Sequence, residues 1–176
     1  MLESGRDTFY TTKNGEQTYW CPIEKHPVTI KSNPKVINLA IYKTGNKTLK
    51  RDLSASVNDL GDGILNVEFH SILQPTLNPI DGSYIEMINF ALDLIETGNY
   101  KSMVLGHQGA NFCAGANLNL ILELCQNNMW DELNFAIKTL QDTTQRIRFS
   151  NGPIVAAPFQ LALGGGVEIV QPAAHR

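Results

Sequence analysis

Apolar and polar residues alternate strictly in one short stretch of the chain. Leu65, Val67 and Phe69 are separated by polar residues, and this period of two predicts a strand with one buried face. Gly61 and Gly63 come just before the stretch, so a turn is expected there. The regular part of the fold is therefore predicted to begin shortly before this turn.

The next stretch changes to helical spacing. Ser83 is predicted to open a helix, with Glu86 three residues later in the capping-box position. Gly98 is predicted to end the helix in a left-handed conformation. The side chains predicted to face the core are Tyr84, Ile85, Met87, Ile88, Ala91, Leu92 and Ile95.

Strands and helices continue in alternation after that helix. Residues 102–105 and 153–157 are short apolar runs that predict strands. Between them, helical spacing extends over residues 118–125 and again over residues 130–147. The second of these helices is predicted to turn inward Leu133, Ile137, Leu140 and Ile147. The order of elements predicts an α/β fold with at least partly parallel strands.

The first part of the chain has a different pattern. Residues 9–12 and 17–20 flank Asn14-Gly15, a pair that suits a tight turn, so a β-hairpin is predicted. Three prolines between residues 22 and 34 predict an extended or loop-like stretch. The polar run over residues 43–52 is interpreted as a linker. The hairpin and the linker together are interpreted as a connector, residues 1–52, ahead of a domain that occupies residues 53–176.

Composition narrows the class of protein. The 176 residues are 43% hydrophobic and 18% charged, which suits a packed core and argues against disorder. The net charge is -3, and the loose basic cluster of Lys43, Lys47, Lys50 and Arg51 is interpreted as a solvated surface. No nucleic-acid partner is therefore expected. A polar N-terminus and the lack of a long apolar run predict neither a signal peptide nor a membrane partner.

The cysteines and histidines of the sequence predict neither a disulfide framework nor a metal site. Cys21, Cys113 and Cys125 make an odd number without a CxxC motif, so no disulfide framework is expected. Cys113 lies in an apolar loop and is interpreted as a buried small residue rather than as a nucleophile. The four histidines have no spacing typical of a zinc site, so no metal is expected. These features favour a cytoplasmic protein.

Two glycine-rich loops each follow a predicted strand and precede a predicted helix. Residues 111–117 form the first loop, and residues 162–168 form the second, with Gly164-Gly165-Gly166 at its centre. A helix start presents free N–H groups with a partial positive charge, so two such loops could hold a developing oxyanion between two donors. Glu168, one helical turn further on, could then move a proton on the bound substrate.

A purely structural interpretation of these loops is the alternative. Glycine-rich turns often serve tight packing only, and Glu168 at a helix start could merely complement the helix dipole. Gly164-Gly165-Gly166 also lacks the following Lys-Ser/Thr of a phosphate-binding P-loop and the GxGxxG spacing of a dinucleotide site. Spacing alone favours packing over catalysis.

The residues of the two loops together resemble the paired signatures of the crotonase, or enoyl-CoA hydratase, superfamily. That family has Phe-x-x-Gly-Ala-Asp in the first loop and Ala-Leu-Gly-Gly-Gly-x-Glu in the second. This chain has Phe112-Cys113-Ala114-Gly115-Ala116-Asn117 and, later, Ala162-Leu163-Gly164-Gly165-Gly166-Val167-Glu168. The resemblance implies the N-terminal part of a crotonase-type ββα spiral, preceded by the connector.

A narrower resemblance comes from Asn117, from Ala156-Ala157-Pro158-Phe159 and from Pro172-Ala173-Ala174-His175. These residues look like the hydratase region of long bacterial 3-hydroxyacyl-CoA dehydrogenases. The resemblance implies a parent protein in fatty-acid β-oxidation, with a separate NAD-binding dehydrogenase part and with homo-oligomer assembly. For this chain it implies no bound cofactor and a coenzyme A thioester as substrate.

The resemblance also implies roles for individual residues. The backbone N–H groups of Ala116 and Gly165 would form the oxyanion hole for the thioester carbonyl. Coenzyme A would pass Ala114, Gly115, Ala116 and Asn117. Glu168 would be the first of two catalytic glutamates that activate water for addition to a 2-enoyl-CoA.

Two departures from the family pattern affect this expectation. Asn117 replaces the usual Asp, and the second catalytic glutamate is expected beyond Arg176. The isolated chain is therefore expected to be inactive as a hydratase. An enoyl-CoA isomerase or an acyl-CoA thioester hydrolase on the same fold stays open, since the oxyanion hole is common to all three. A non-catalytic fragment that packs or self-associates is a further alternative.

Overall fold

The computed structural model describes residues 8–13, 16–31, 33, 36–44 and 46–174. The chain divides into two compact units, Met1–Thr48 and Leu49–Arg176. Within the described residues, no helix combines the length and the apolar content that crossing a bilayer requires.

The first unit contains a small antiparallel sheet and a short helix. Its elements are β1 (Tyr10–Lys13), β2 (Glu16–Cys21), β3 (His26–Thr29) and α1 (Leu39–Thr44). β1 and β2 pair from Tyr10↔Tyr19 to Lys13↔Glu16, which confirms the predicted hairpin, and the turn residues Asn14 and Gly15 lie outside the described residues. Part of the predicted proline-rich loop forms β3, which pairs with β2.

The predicted linker over residues 43–52 is wrong, because part of it is a strand. Thr48–Arg51 forms β4, and Lys43 belongs to α1. Alternate residues of β4 are half-buried and exposed, as suits a strand at the edge of a sheet. Lys50 Nζ lies 2.6 Å from Glu86 Oε1 and packs over the Phe90 ring. Lys50, which was interpreted as part of a solvated surface, therefore also forms an ion pair with Glu86.

The second unit has a five-stranded sheet with the strand order β4-β5-β6-β7-β8. The remaining strands are β5 (Ala55–Gly61), β6 (Ile64–Phe69), β7 (Ser102–Leu105) and β8 (Ile154–Ala156). β5 and β6 are antiparallel, whereas β6, β7 and β8 run parallel, so the predicted α/β fold with partly parallel strands is confirmed. Gly61 and Gly63 have φ angles of +92° and +78° in the predicted turn before β6.

β6 is buried on both faces, not on one as the alternation predicted. Leu65 and Val67 are fully buried, but Asn66 is only 2% exposed and Glu68 only 4%. Asn66 satisfies its amide inside the sheet, since it accepts from Asn58 Nδ2 and donates to Gly106 O over 2.8 Å. Polar residues can occupy a buried face when neighbouring strands supply such partners.

The best-defined helix is α2 (Gly82–Glu96). All seven predicted inward residues are buried, and Gly98 adopts a φ angle of +78° just after the helix, as predicted. The predicted capping box at Ser83 is wrong, because Asp81 is the N-cap. Its Oδ1 accepts from Tyr84 N over 2.9 Å, and its Oδ2 accepts from Ser54 Oγ. The carboxylate of Asp81 therefore satisfies the helix start and joins it to the sheet.

Three further helices complete the second unit: α3 (Leu118–Gln126), α4 (Trp130–Arg148) and α5 (Gly165–Val170). Of the four predicted inward residues of α4, Ile147 is buried, but Ile137 is 48% exposed and therefore contradicts the prediction. α4 packs on α2 mainly through its second half, where Arg146 bonds Asn89 and Asp93. Its first half pairs with α3 and borders a cavity, which is why Ile137 does not reach the core.

Candidate functional site

The two glycine-rich loops lie side by side at one edge of the sheet. The first follows β7 and the second follows β8, and parallel neighbouring strands bring their carboxyl ends to the same edge. Cys113 N donates to Leu161 O, and Leu163 N donates to Cys113 O, both over 2.9 Å. These bonds form a parallel bridge between Cys113 and Ala162. The pairing of the loops therefore extends the pairing of their strands.

The close approach of the loops requires glycine at two positions. A Cβ on Gly115 would lie 2.8 Å from Leu163 O, and the residue also has a φ angle of +97°. A Cβ on Gly166 would lie 2.7 Å from Cys113 O. Side chains here would push the two backbones apart. Close packing of the two loops therefore requires these two glycines, whether or not the loops also take part in catalysis.

The two predicted oxyanion donors are neighbours in this arrangement. Gly165 begins α5, so its N–H has no acceptor within the helix. Within the described part of the chain, neither Ala116 N nor Gly165 N donates a hydrogen bond. A Cβ built on Gly165 would lie 3.6 Å from Ala116 N. Two backbone donors without internal acceptors thus lie next to each other at the edge of the sheet.

Glu168 lies in the first turn of α5 and its side chain is exposed. Its Oε2 is 3.8 Å from the position that a Cβ on Gly165 would occupy. Among the described residues it forms no ion pair and no side-chain hydrogen bond. The carboxylate therefore lies close to the two backbone donors and has no competing partner there.

The residues predicted to contact coenzyme A differ in exposure. Ala116 is exposed and Asn117 is half-buried, whereas Gly115 is buried. Ala114 is half-buried, and its N–H is already bonded to Leu77 O over 2.9 Å. Asn117 is the N-cap of α3, and its Oδ1 accepts from Leu120 N. Since Asn and Asp cap helices equally well, the change from the family's Asp preserves this local role and removes a charge.

Cys113 is fully buried between the loops, as predicted. Its Sγ accepts from Gly115 N over 3.3 Å, and burial raises the pKa of the thiol. A thiol with a raised pKa is a poor nucleophile at neutral pH. Cys113 is therefore a structural residue of the loop and not a candidate nucleophile.

A segment before α2 borders the other side of the first loop. Ile80 N donates to Gly115 O over 2.8 Å, and Ile80 forms a parallel bridge with Ala116. The bond from Ala114 N to Leu77 O adds a second link between the two segments. The first loop is therefore held on both sides, by residues 76–80 and by the second loop.

An apolar cavity of about 580 Å³ lies beside Ala116, among α2, α3 and α4. Ala116 and Ile80 line one part of it, and Leu120, Ile121 and Leu124 of α3 line another. The helical spacing in α3 was recognised in the sequence, but the cavity was not. The sequence feature that points to the cavity is the apolar face of α3, which borders it. In the structure, no residue of α3 is buried.

Known proteins similar in sequence are described as a 3-hydroxyacyl-CoA dehydrogenase and an enoyl-CoA hydratase. A Bacillus subtilis (strain 168) protein described as "Probable 3-hydroxyacyl-CoA dehydrogenase" is 41% identical over 175 residues, which are 99% of this chain and 21% of that protein. A "Probable enoyl-CoA hydratase" of the same strain is 29% identical over 100 residues, 56% of this chain and 38% of that protein. No protein-family model matches the chain. The chain thus spans about a fifth of the dehydrogenase relative.

Solved structures with a similar fold include enoyl-CoA hydratases. The enzyme from Bacillus anthracis has a TM-score of 0.58 and 23% identity, and the match covers 69% of this chain and 46% of that one. The enzyme from Shewanella pealeana has a TM-score of 0.59 and 19% identity, with coverage of 69% and 45%. The chain therefore has the N-terminal part of the crotonase fold and is similar in sequence to a bacterial 3-hydroxyacyl-CoA dehydrogenase.

Proposed function

We propose that this chain holds the thioester group of an acyl-CoA, with the carbonyl oxygen between Ala116 N–H and Gly165 N–H. The observation that carries the proposal is the pair of adjacent backbone donors without internal acceptors. Such donors stabilise negative charge on the oxygen and are fixed before the reaction begins. The start of α5 adds a partial positive charge on the same side.

The cavity beside Ala116 supports an acyl chain as the group attached to the carbonyl carbon. Its volume of about 580 Å³ and its mainly apolar lining suit a flexible hydrocarbon. Each methylene transferred from water into it would contribute about 0.8 kcal/mol. Coenzyme A would leave the site along Ala114, Gly115, Ala116 and Asn117, of which Ala116 is the exposed residue.

Glu168 would carry the proton chemistry in this proposal. For a 2-enoyl-CoA, a water oxygen adds to carbon 3 and a proton adds to carbon 2, which gives the 3-hydroxyacyl-CoA. The carbonyl oxygen carries the transient negative charge between Ala116 and Gly165. Glu168 would hold the water and take part in proton transfer, together with the second carboxylate that the family resemblance implies.

The activity of a longer protein belongs to the same proposal. The similarity to the Bacillus subtilis dehydrogenase over 99% of this chain supports a parent in fatty-acid β-oxidation that also oxidises 3-hydroxyacyl-CoA with NAD. This chain has no GxGxxG motif, so NAD would bind in another part of that protein. We propose a cytoplasmic homo-oligomer as its form.

The test uses the full-length protein that contains this sequence and 2-butenoyl-CoA as substrate. Glu168→Gln should lower the hydration rate at least a hundredfold, because positioned acid–base groups typically contribute that much or more. Glu123→Gln, an exposed glutamate of α3 outside the site, is the matched control and should keep the rate. An unchanged rate in Glu168→Gln would overturn the proposed role of this residue.

The reaction products decide between the hydratase and the two alternatives on the same fold. A hydratase yields 3-hydroxyacyl-CoA, an isomerase yields a 2-enoyl-CoA from a 3-enoyl-CoA, and a hydrolase releases free coenzyme A thiol. Chromatography of the mixture after incubation with each thioester separates the three outcomes.

A non-catalytic role has its own supporting observation. Leu118, Leu122 and Phe135 on α3 and α4 are 74%, 55% and 72% exposed. An apolar surface of this kind favours self-association. Sedimentation of the chain at several concentrations tests this role, and a compact monomer throughout would contradict it.

A further inference from the structure

The side chain of Asn78 is almost fully enclosed beside the first glycine loop. It is 1% exposed, and its backbone φ angle is +50°, a left-handed conformation that Asn adopts more readily than most residues. Ile80 lies two residues after Asn78 and donates its N–H to Gly115 O. A buried amide at this place needs partners, and it finds them on three separate segments.

The amide of Asn78 joins the end of β6 to the first loop. Its Nδ2 donates to Phe69 O over 3.3 Å and to Phe112 O over 3.0 Å. Its Oδ1 accepts from Ser71 N over 2.8 Å. Every polar atom of the side chain is therefore used, and the Phe112 carbonyl is tied to a rigid strand.

His107 reinforces the same carbonyl. Its Nε2 lies 2.9 Å from Phe112 O and 3.1 Å from Asn78 Nδ2. A carbonyl oxygen only accepts, so the short contact with Phe112 O assigns the His107 tautomer that has its proton on Nε2, with the two Nδ2 hydrogens of Asn78 directed to Phe69 O and Phe112 O. The His107 ring also packs edge-on to Phe69 and Phe159, with centroid distances of 4.4 and 5.0 Å. Phe112 O thus receives two hydrogen bonds from two packed side chains.

We infer that Asn78 is a positioning residue that, with His107, fixes the location of Ala116 N–H relative to Gly165 N–H. The inference rests on the proposed function of these two donors. Neither Asn78 nor His107 would touch the substrate, and both act through the Phe112 carbonyl.

The link from Phe112 to Ala116 is short and stiff. Only three residues separate them, and the segment is bonded to Leu77 O through Ala114 N and to Ile80 N through Gly115 O. Leu77 and Ile80 flank Asn78, so loss of the Asn78 amide loosens these two anchors together with the Phe112 carbonyl, and the displacement is carried to Ala116. Oxyanion donors act over a narrow range of about 2.7–3.1 Å, so a small displacement weakens the bond to the carbonyl strongly.

The experiment compares the affinities of this chain for hexanoyl-CoA and S-hexyl-CoA, measured by calorimetry. The two ligands differ in one group, a carbonyl in place of a methylene, so the change in the ratio of their dissociation constants between variants reports the donors to the carbonyl oxygen. The wild-type chain should prefer the thioester. Asn78→Gly keeps the left-handed backbone and removes the amide, and it should reduce this preference about tenfold while the affinity for S-hexyl-CoA stays the same.

Ile154→Val in the core strand β8 is the control for a general loss of stability. It should lower the melting temperature and leave the thioester preference unchanged. If Asn78→Gly does not fold, His107→Leu and His107→Gln give the same comparison. Leu removes the donor to Phe112 O and should reduce the preference, whereas Gln restores a donor and should retain it.

The outcomes separate this inference from the proposed function. No preference for the thioester in the wild-type chain would overturn the proposed oxyanion donors themselves. A wild-type preference that persists in Asn78→Gly, or in His107→Leu where the first variant does not fold, would overturn the positioning role alone. Equal losses of affinity for both ligands would also contradict it, because they indicate general damage to the site.

Discussion

Alanine at Gly115 should separate the two glycine loops. The substitution adds a Cβ that would lie 2.8 Å from Leu163 O and 3.1 Å from Gly165 N, in a residue whose φ angle is +97°. Two costs therefore add: an unfavourable backbone conformation and a steric clash with a backbone that cannot rotate away. Gly61 isolates the first cost, since its φ angle is +92° and its added Cβ would meet nothing within 4 Å.

The magnitudes follow from these two costs. A left-handed backbone costs a non-glycine residue roughly 1–2 kcal/mol, which applies to both variants. Overpacking adds about 1–3 kcal/mol to Gly115→Ala alone. Gly115→Ala should thus lower the free energy of unfolding by about 1–3 kcal/mol more than Gly61→Ala. For a chain of this size, that difference corresponds to roughly 2–12 °C in melting temperature.

Thermal and urea unfolding of both variants provide the assay. A Trp20→Phe background leaves Trp130 of the second unit as the fluorescent reporter, so the measurement follows the unit that contains both glycines. Gly115→Ala should also lose the preference for a thioester over a thioether, whereas Gly61→Ala should keep it. Equal stability of the two variants would refute the close packing of the loops.

Two further predictions concern packing and reactivity. Arg146→Met removes hydrogen bonds to Asn89, Asp93 and Glu96 from the contact between α2 and α4. Because these groups are partly exposed, the free energy of unfolding in urea should fall by about 1 kcal/mol, and the loss should shrink at high salt; a loss that does not depend on salt would contradict an electrostatic origin. Cys113, whose thiol is buried and has a raised pKa, should react with a thiol reagent at neutral pH far more slowly than half-exposed Cys125, and equal rates in single-cysteine variants would contradict the burial.

Helix α2 could be predicted closely from the sequence because its signals are local. Its buried residues follow one helical face, and Gly98 marks its end. The N-cap was assigned wrongly, to Ser83 instead of Asp81. Both residues are good caps, and the bond from Ser54 Oγ to Asp81 Oδ2 that distinguishes them comes from a distant part of the chain.

The edge strand β4 and the partly exposed helix α4 show the limit of pattern analysis. β4 is polar because an edge strand needs to bury little, so its composition looks like that of a linker. Ile137 has the right spacing to face a core, but α3 and a cavity lie beside its part of α4. Periodicity indicates which face of a helix is apolar, and not what packs against that face.

The same difference between local and non-local signals applies to the candidate site. The glycine loops and Glu168 could be predicted as candidates because their residues are contiguous in the sequence. Asn78 was missed because its partner Phe112 is 34 residues away, and a single Asn before a helix resembles any turn residue. The non-local hydrogen bonds that give Asn78 its significance exist only in the fold.

The carbonyl stretching frequency of a bound thioester tests the central claim most directly. Infrared difference spectra of hexanoyl-CoA with a carbon-13 carbonyl should show a shift to lower frequency on binding, because hydrogen bonds from Ala116 and Gly165 polarise the carbonyl. Gly165→Ala keeps the N–H, and its Cβ would lie 2.8 Å from Cδ1 at the movable end of the Ile80 side chain. Gly165→Pro removes the N–H at the first helical position, where proline is well tolerated, and introduces the same Cβ, so the pair differs in the donor. The account predicts that the shift persists in Gly165→Ala and shrinks in Gly165→Pro. An equal shift in both variants would contradict it.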